Sequence, residues 1–124
     1  MVASPNDSVI SETRDGICRI TFNRPKALNA INVDMAEALR HIAEDIRADD
    51  TVRVVVISGA GDHFMAGGDV KAFKAFLDGK PDEAAIRAEF EEMLGIVHDF
   101  IADFREMPQP VIGSAHGAVA GAGV

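Results

Sequence analysis

Cysteine is nearly missing from this 124-residue chain, in which Cys18 stands alone. A single thiol excludes an internal disulfide framework and a cysteine metal cluster. Positive charge is scarce too, with 12 Lys and Arg against 20 Asp and Glu and a net charge of −8. That balance argues against a nucleic-acid partner, because neutralising phosphates takes a basic face. No apolar run approaches the ~18 residues that span a bilayer, and "MVASPNDSVI" carries no basic-then-apolar leader. The expectation is a soluble, cytoplasmic protein with no membrane partner. Charge of either sign is absent from the last fourteen residues, "VIGSAHGAVAGAGV". Chain ends are normally exposed and polar unless tied down. This end therefore reads as a segment to be covered by something that follows it, and the chain as a fragment.

What remains is an ordinary globular composition, 48% hydrophobic and 26% charged, of a length that fits one domain. Residues 1–8 read as a flexible tail. Val9–Thr13 and Ile17–Thr21 are β-prone runs joined by "RDG", a strong hairpin signal. "FNRPKALNAIN" breaks the pattern and reads as a loop. From Asp34 the spacing is helical, with Met35, Leu39, Ile42 and Ile46 on one face and Asp34 with Glu37 as a capping box. Val52–Ser58 is a buried strand, and a short helix is expected over 70–77. Ile86, Phe90, Met93, Val97, Phe100, Phe104 and Met107 then mark an amphipathic helix of about six turns. Val111–Ala115 is a further strand. The order is strand, strand, helix, strand, loop, helix, strand, loop, which is α/β.

Glycines concentrate in two places, "FMAGGDVK" and "HGAVAGAG", each just past the carboxyl end of a buried strand, where α/β folds place ligands. If those strands are neighbours, the loops lie side by side. Glycine lets main chain approach a ligand closely, and two N–H groups aimed at one point make an oxyanion hole. Plain turns are the alternative reading for either loop alone.

"ITFNRPKALNAIN", "VRVVVISGAGDHFMAGGDVK" and "PQPVIGSAHGAVAGAGV", in this order and spacing, resemble the enoyl-CoA hydratase/isomerase (crotonase) family from about Val9 onward. The resemblance implies a spiral of ββα units, incomplete at the C-terminus, that acts on acyl-CoA thioesters as a hydratase or double-bond isomerase. It implies that the N–H groups of Gly68 and Ala122 form the oxyanion hole, which steadies an enolate. It also implies that Lys26, Ala27 and Leu28, with Ala66, Gly67, Asp69 and Val70, line the CoA surface. No metal or redox cofactor is implied, CoA being carried by the substrate, and the intact protein is expected to be a homotrimer or hexamer. Two departures stand out. Ala122 replaces the middle glycine of the hydratases' triplet, so that "AGAG" looks more like isomerase-type members, ring-epoxide isomerases among them. The family's catalytic carboxylates also fall beyond Val124, which leaves a non-catalytic acyl-CoA-binding fragment as the other reading.

Arg24, Lys26, Lys71 and Lys74 cluster around these motifs, where local positive charge would hold CoA phosphates. Exposed lysines kept for solubility are the alternative. His63 and His116 flank the loops and read as loop-stabilising rather than as bases. Glu89, Glu91 and Glu92 form a solvated helix face, and Cys18 reads as core. "SGAGDHF" offers only a partial dinucleotide fingerprint, since Phe64 stands where its third glycine belongs.

Overall fold

The computed structural model describes residues 2–69, 74, 77–79 and 82–124. Strands β1 (Val9–Arg14) and β2 (Ile17–Phe22) pair antiparallel with Arg14 opposite Ile17, so that only Asp15 and Gly16 make the turn. Both turn residues have positive φ, 53° and 82°. This is the conformation whose twist matches the flanking strands, and it explains why Asp-Gly stands there. Residues 2–8, expected as a flexible tail, are docked on the body: Val2 is buried in the core, and the Asn6 amide donates to the Asp34 carbonyl at 3.0 Å.

Helix α1 (Val33–Arg47) begins one residue before the expected start. Asn32 caps it, its side chain accepting from the Met35 N–H at 3.0 Å. The expected Asp34–Glu37 capping box is not used; Glu37 instead pairs with Arg40 at 2.8 Å. The reason is local. Asn32 is extended, with φ −119° and ψ −176°, which turns its carbonyl oxygen onto the free N–H groups of the first turn. Met35, Leu39, Ile42 and Ile46 are all buried. Burying each such side chain contributes about 1.5–3 kcal/mol.

Strand β3 (Val54–Gly59) runs parallel to β2 on one side and to β4 (Val111–Ser114) on the other, giving the sheet order β1-β2-β3-β4. The long helix α2 (Glu83–Glu106) precedes β4, and Asp82 caps it by accepting from the Ala84 N–H at 2.9 Å. Arg47 and Asp103 join α1 to α2 at 2.6 Å. Of the apolar stripe along α2, Val97, Phe100 and Met107 are buried, whereas Phe90 is exposed. In strand β4, Ile112 is 53% exposed. The expected order of elements is thus observed, except that the short helix over 70–77 falls mostly outside the described residues.

Cys18 is fully buried and free, opposite Thr13 in the hairpin. Burial pushes its thiol pKa up. The thiol is core, as the sequence suggests.

Candidate functional site

Because β3 and β4 are parallel neighbours, the two glycine loops leave the same end of the sheet and touch. Main-chain bonds join them directly. The Phe64 N–H donates to the His116 carbonyl at 2.8 Å, that of Met65 to Ala118 at 3.2 Å, and that of Ala120 to Met65 at 3.1 Å. The Phe64 ring packs edge-on against Phe22 of β2, with centroids 5.3 Å apart, and anchors this contact to the sheet. Both histidines staple the loops. His63 Nδ1 accepts from the Ala118 N–H at 2.9 Å, and His116 Nε2 lies 2.7 Å from the Gly61 carbonyl, which can only accept. Loop stabilisation is therefore what these rings do here.

Two glycines also face each other across the loops. Gly121 has φ 54°, and a Cβ on it would lie 3.2 Å from the Cα of Gly67. Side chains rarely adopt that φ, and the space is too tight for one to enter freely. The small residues are what let the loops close on one another.

A third segment joins from the other side. Residues Pro25–Ala27 form a single 3-10 turn, after which Leu28 and Asn29 are both left-handed, with φ 56° and 54°. Asparagine tolerates this conformation because its side chain can bond locally. Asn29 is completely buried, and its side-chain amide ties this loop to the one that follows β3. Its oxygen accepts from the Arg24 N–H at 2.8 Å, and its amide donates to the Ala60 and His63 carbonyls at 2.9 and 2.8 Å. Residues 28–31 then run beside 66–69. The Ala66 N–H donates to Leu28 at 3.1 Å, that of Ile31 to Gly67 at 2.7 Å, and that of Asp69 to Ile31 at 3.0 Å.

This short ladder fixes where the Gly68 N–H points. The Gly67 carbonyl and the Gly68 N–H belong to one planar trans peptide, so they point in opposite directions. With the carbonyl held by Ile31, the N–H of Gly68 faces away from that segment. It donates to no described residue. Ala122 is the middle residue of a 3-10 turn, Gly121–Gly123, whose internal bonds begin at the Gly123 N–H. The Ala122 N–H therefore belongs to the unpaired first donors of that turn, and it too has no partner among the described residues. Beside Ala122 lies an apolar cavity of about 320 Å³, whose lining includes Phe22, Ile31, Met65, Phe104 and Val124.

The sequence-predicted site residues are thus brought to one region with different degrees of access. Lys26, Leu28, Gly68 and Ala122 are exposed, Ala27, Ala66 and Asp69 half-buried, and Gly67 buried. Val70 and Lys71 lie outside the described residues. Arg24 departs from the expected phosphate-binding cluster. Its guanidinium donates to the Asp69 carboxylate at 2.7 Å and to the Ala30 carbonyl, with its side chain only 21% exposed. Asp69, expected on the CoA surface, turns its carboxylate to this arginine. Asn29 was not singled out from the sequence. Its signal was weak, an asparagine in a proline-broken loop, and its three partners are remote in sequence or invisible without the fold.

A family model described as "Enoyl-CoA hydratase/isomerase" matches residues 17–124. The chain is 34% identical over 121 residues to "Small ribosomal subunit protein mS47" of Schizosaccharomyces pombe, covering 97% of this chain and 27% of that protein. It is 29% identical over 115 residues to "1,2-epoxyphenylacetyl-CoA isomerase" of Escherichia coli, covering 93% and 42%. Among solved structures, an enoyl-CoA hydratase/isomerase from Xanthobacter autotrophicus Py2 is similar with a TM-score of 0.80 at 28% identity, covering 94% of this chain and 41% of that one. The chain spans less than half the length of each of these three proteins.

Proposed function

The chain belongs to the enoyl-CoA hydratase/isomerase family and carries part of the crotonase-like fold, and on that premise we propose that its two glycine loops hold the carbonyl of an acyl-CoA thioester. The observation that carries this reading is the pair of N–H groups, Gly68 and Ala122, without a partner among the described residues, on loops bonded to one another. Donors fixed in place before the reaction stabilise charge as it develops on the thioester oxygen, without reorganising at that moment. An enolate is the species they suit. The reaction is then hydration of an enoyl thioester or migration of its double bond. Carboxylates that the family carries outside this span move the proton.

The CoA portion would lie along Lys26, Ala27 and Leu28 and past Ala66, Gly67, Asp69 and Val70. Lys26, exposed in an otherwise acidic chain, would face its phosphates. No metal or redox group enters the proposal. The cytoplasm is the proposed compartment, and a trimer or hexamer the proposed assembly of the whole protein.

A second reading, thioester binding without turnover, is favoured by one observation: the 34% identical relative bears the name of a ribosomal protein. Incubation of the whole protein with a panel of 2-enoyl- and 3-enoyl-CoA thioesters separates the readings. Hydration consumes the conjugated double bond of the first, and isomerisation creates one from the second. Saturable binding with neither change favours the second reading. Absence of any binding refutes both.

A further inference from the structure

We propose that Arg24 is a positioning residue for the Gly68 N–H, acting as a staple across the segments that set its direction; the functional meaning of that direction rests on the reading above. The ladder between residues 28–31 and 66–69 consists of three main-chain bonds and no named strand. Ile31 and Gly68 meet there as an isolated bridge. Such a short pairing is weak alone, because each bond adds little net stability against water. Packing by the described residues does not steady Gly68 either, since none of them lies within 4 Å of the position its Cβ would take. A glycine in open space has many conformations to choose from.

Arg24 supplies the missing constraint. One arm of its guanidinium donates to the carbonyl of Ala30, next to Ile31 on the first segment, and the other to the carboxylate of Asp69, next to Gly68 on the second. The planar fork thus bonds the chain neighbour of each bridge partner at once. Lysine offers one compact charge on a flexible stem and does not reproduce that two-armed geometry. The root of the arginine is fixed as well, because its N–H donates to Asn29 at 2.8 Å. The pair is half-shielded, with side-chain exposures of 21% and 11%, so water screens it less than a surface pair.

The test uses the full chain labelled with nitrogen-15, and crotonyl-CoA carrying carbon-13 at the thioester carbonyl. In the wild type, the Gly68 amide should show the order parameter of rigid backbone, about 0.85, and in Arg24→Gln it should fall below about 0.6. Amides of α1 should not change, which separates a local staple from a loss of fold. Asp69→Asn, which keeps the shape but removes the charge, should move Gly68 in the same direction. Arg24→Lys should fall between the two. In infrared difference spectra, the bound carbonyl should shift to lower frequency in the wild type and lose more than half of that shift in Arg24→Gln. An unchanged Gly68 order parameter in both Arg24→Gln and Asp69→Asn overturns the staple. If the wild type binds crotonyl-CoA without any carbonyl shift, the oxyanion reading falls instead, and the order parameter still decides the staple by itself.

Discussion

Replacing Gly68 with proline removes one N–H and no acid, base or charge. The ladder it sits in survives on paper, since the Gly67 carbonyl that accepts from Ile31 and the Asp69 N–H that donates to Ile31 both remain. Gly68→Ala is the matched control. Its φ lies outside the left-handed region and its Cβ would meet no described residue within 4 Å, so alanine should fit while keeping the donor. The two variants should differ in a graded way. A ground-state thioester carbonyl is a neutral acceptor, for which one hydrogen bond is worth about 0.5–1.5 kcal/mol. At 1.4 kcal/mol per tenfold, Gly68→Pro should weaken binding of crotonyl-CoA by about two- to tenfold. An enolate oxygen depends far more on its donors, and losing one costs about 2.7–4 kcal/mol, a hundred- to thousandfold in turnover. Calorimetric titration measures the first quantity, and enoyl-CoA turnover by the whole protein, which supplies the carboxylates, measures the second. Gly68→Ala should stay near wild type in both. Equal behaviour of wild type and Gly68→Pro, with circular dichroism unchanged, would refute the reasoning and leave the loop a plain turn.

Lys26→Glu should weaken CoA-thioester binding at low salt, and the loss should shrink as salt rises, because an exposed charge is screened; titration at two ionic strengths checks this, and a salt-independent effect removes Lys26 from the phosphate surface. Asn29→Ala leaves the Ala60 and His63 carbonyls and the Arg24 N–H without their partner, which should cost about 1–3 kcal/mol or more, read as a lower denaturant midpoint. Asn32→Ala, which removes the α1 cap, should cost about 0.5–2 kcal/mol, whereas Asp34→Ala should cost little; the reverse ranking in thermal melts would restore the capping box. Burial raises the Cys18 pKa, so the folded state holds its proton more tightly than the unfolded chain does. The stability this adds is fully present below the ordinary thiol pKa and is lost as pH rises through the raised value. Labelling with a thiol reagent should therefore be slow and follow unfolding, and fast labelling of native protein would contradict a buried thiol.

Local chemistry wrote much of this protein legibly into its sequence. Asp15-Gly16 specified the hairpin because few residue pairs accept two positive φ values in a two-residue turn. Met35, Leu39, Ile42 and Ile46 announced α1 because a 3.6-residue period puts them on one buried face. The two glycine loops could be found by their composition and their place after apolar strands. Periodicity was less informative for α2: the same kind of stripe predicts a buried face, yet Phe90 at one end is exposed while Val97 and Phe100 are buried. A stripe says which residues share a face, and only the packed neighbours decide which stretch of that face is covered. The hydrogen-bond choices were equally out of reach. Asn32, two residues before Asp34, won the cap because its backbone is extended, and Arg24 went to Asp69, 45 positions away, rather than to a phosphate cluster. The sequence determined where the chain turns, which faces are apolar and where small residues gather, because those depend on neighbours along the chain. The partner of each polar group, and the lack of one among the described residues for the Gly68 and Ala122 N–H groups, were decided only by the fold, because a hydrogen bond is settled by whichever acceptor the distant chain brings within about 3 Å.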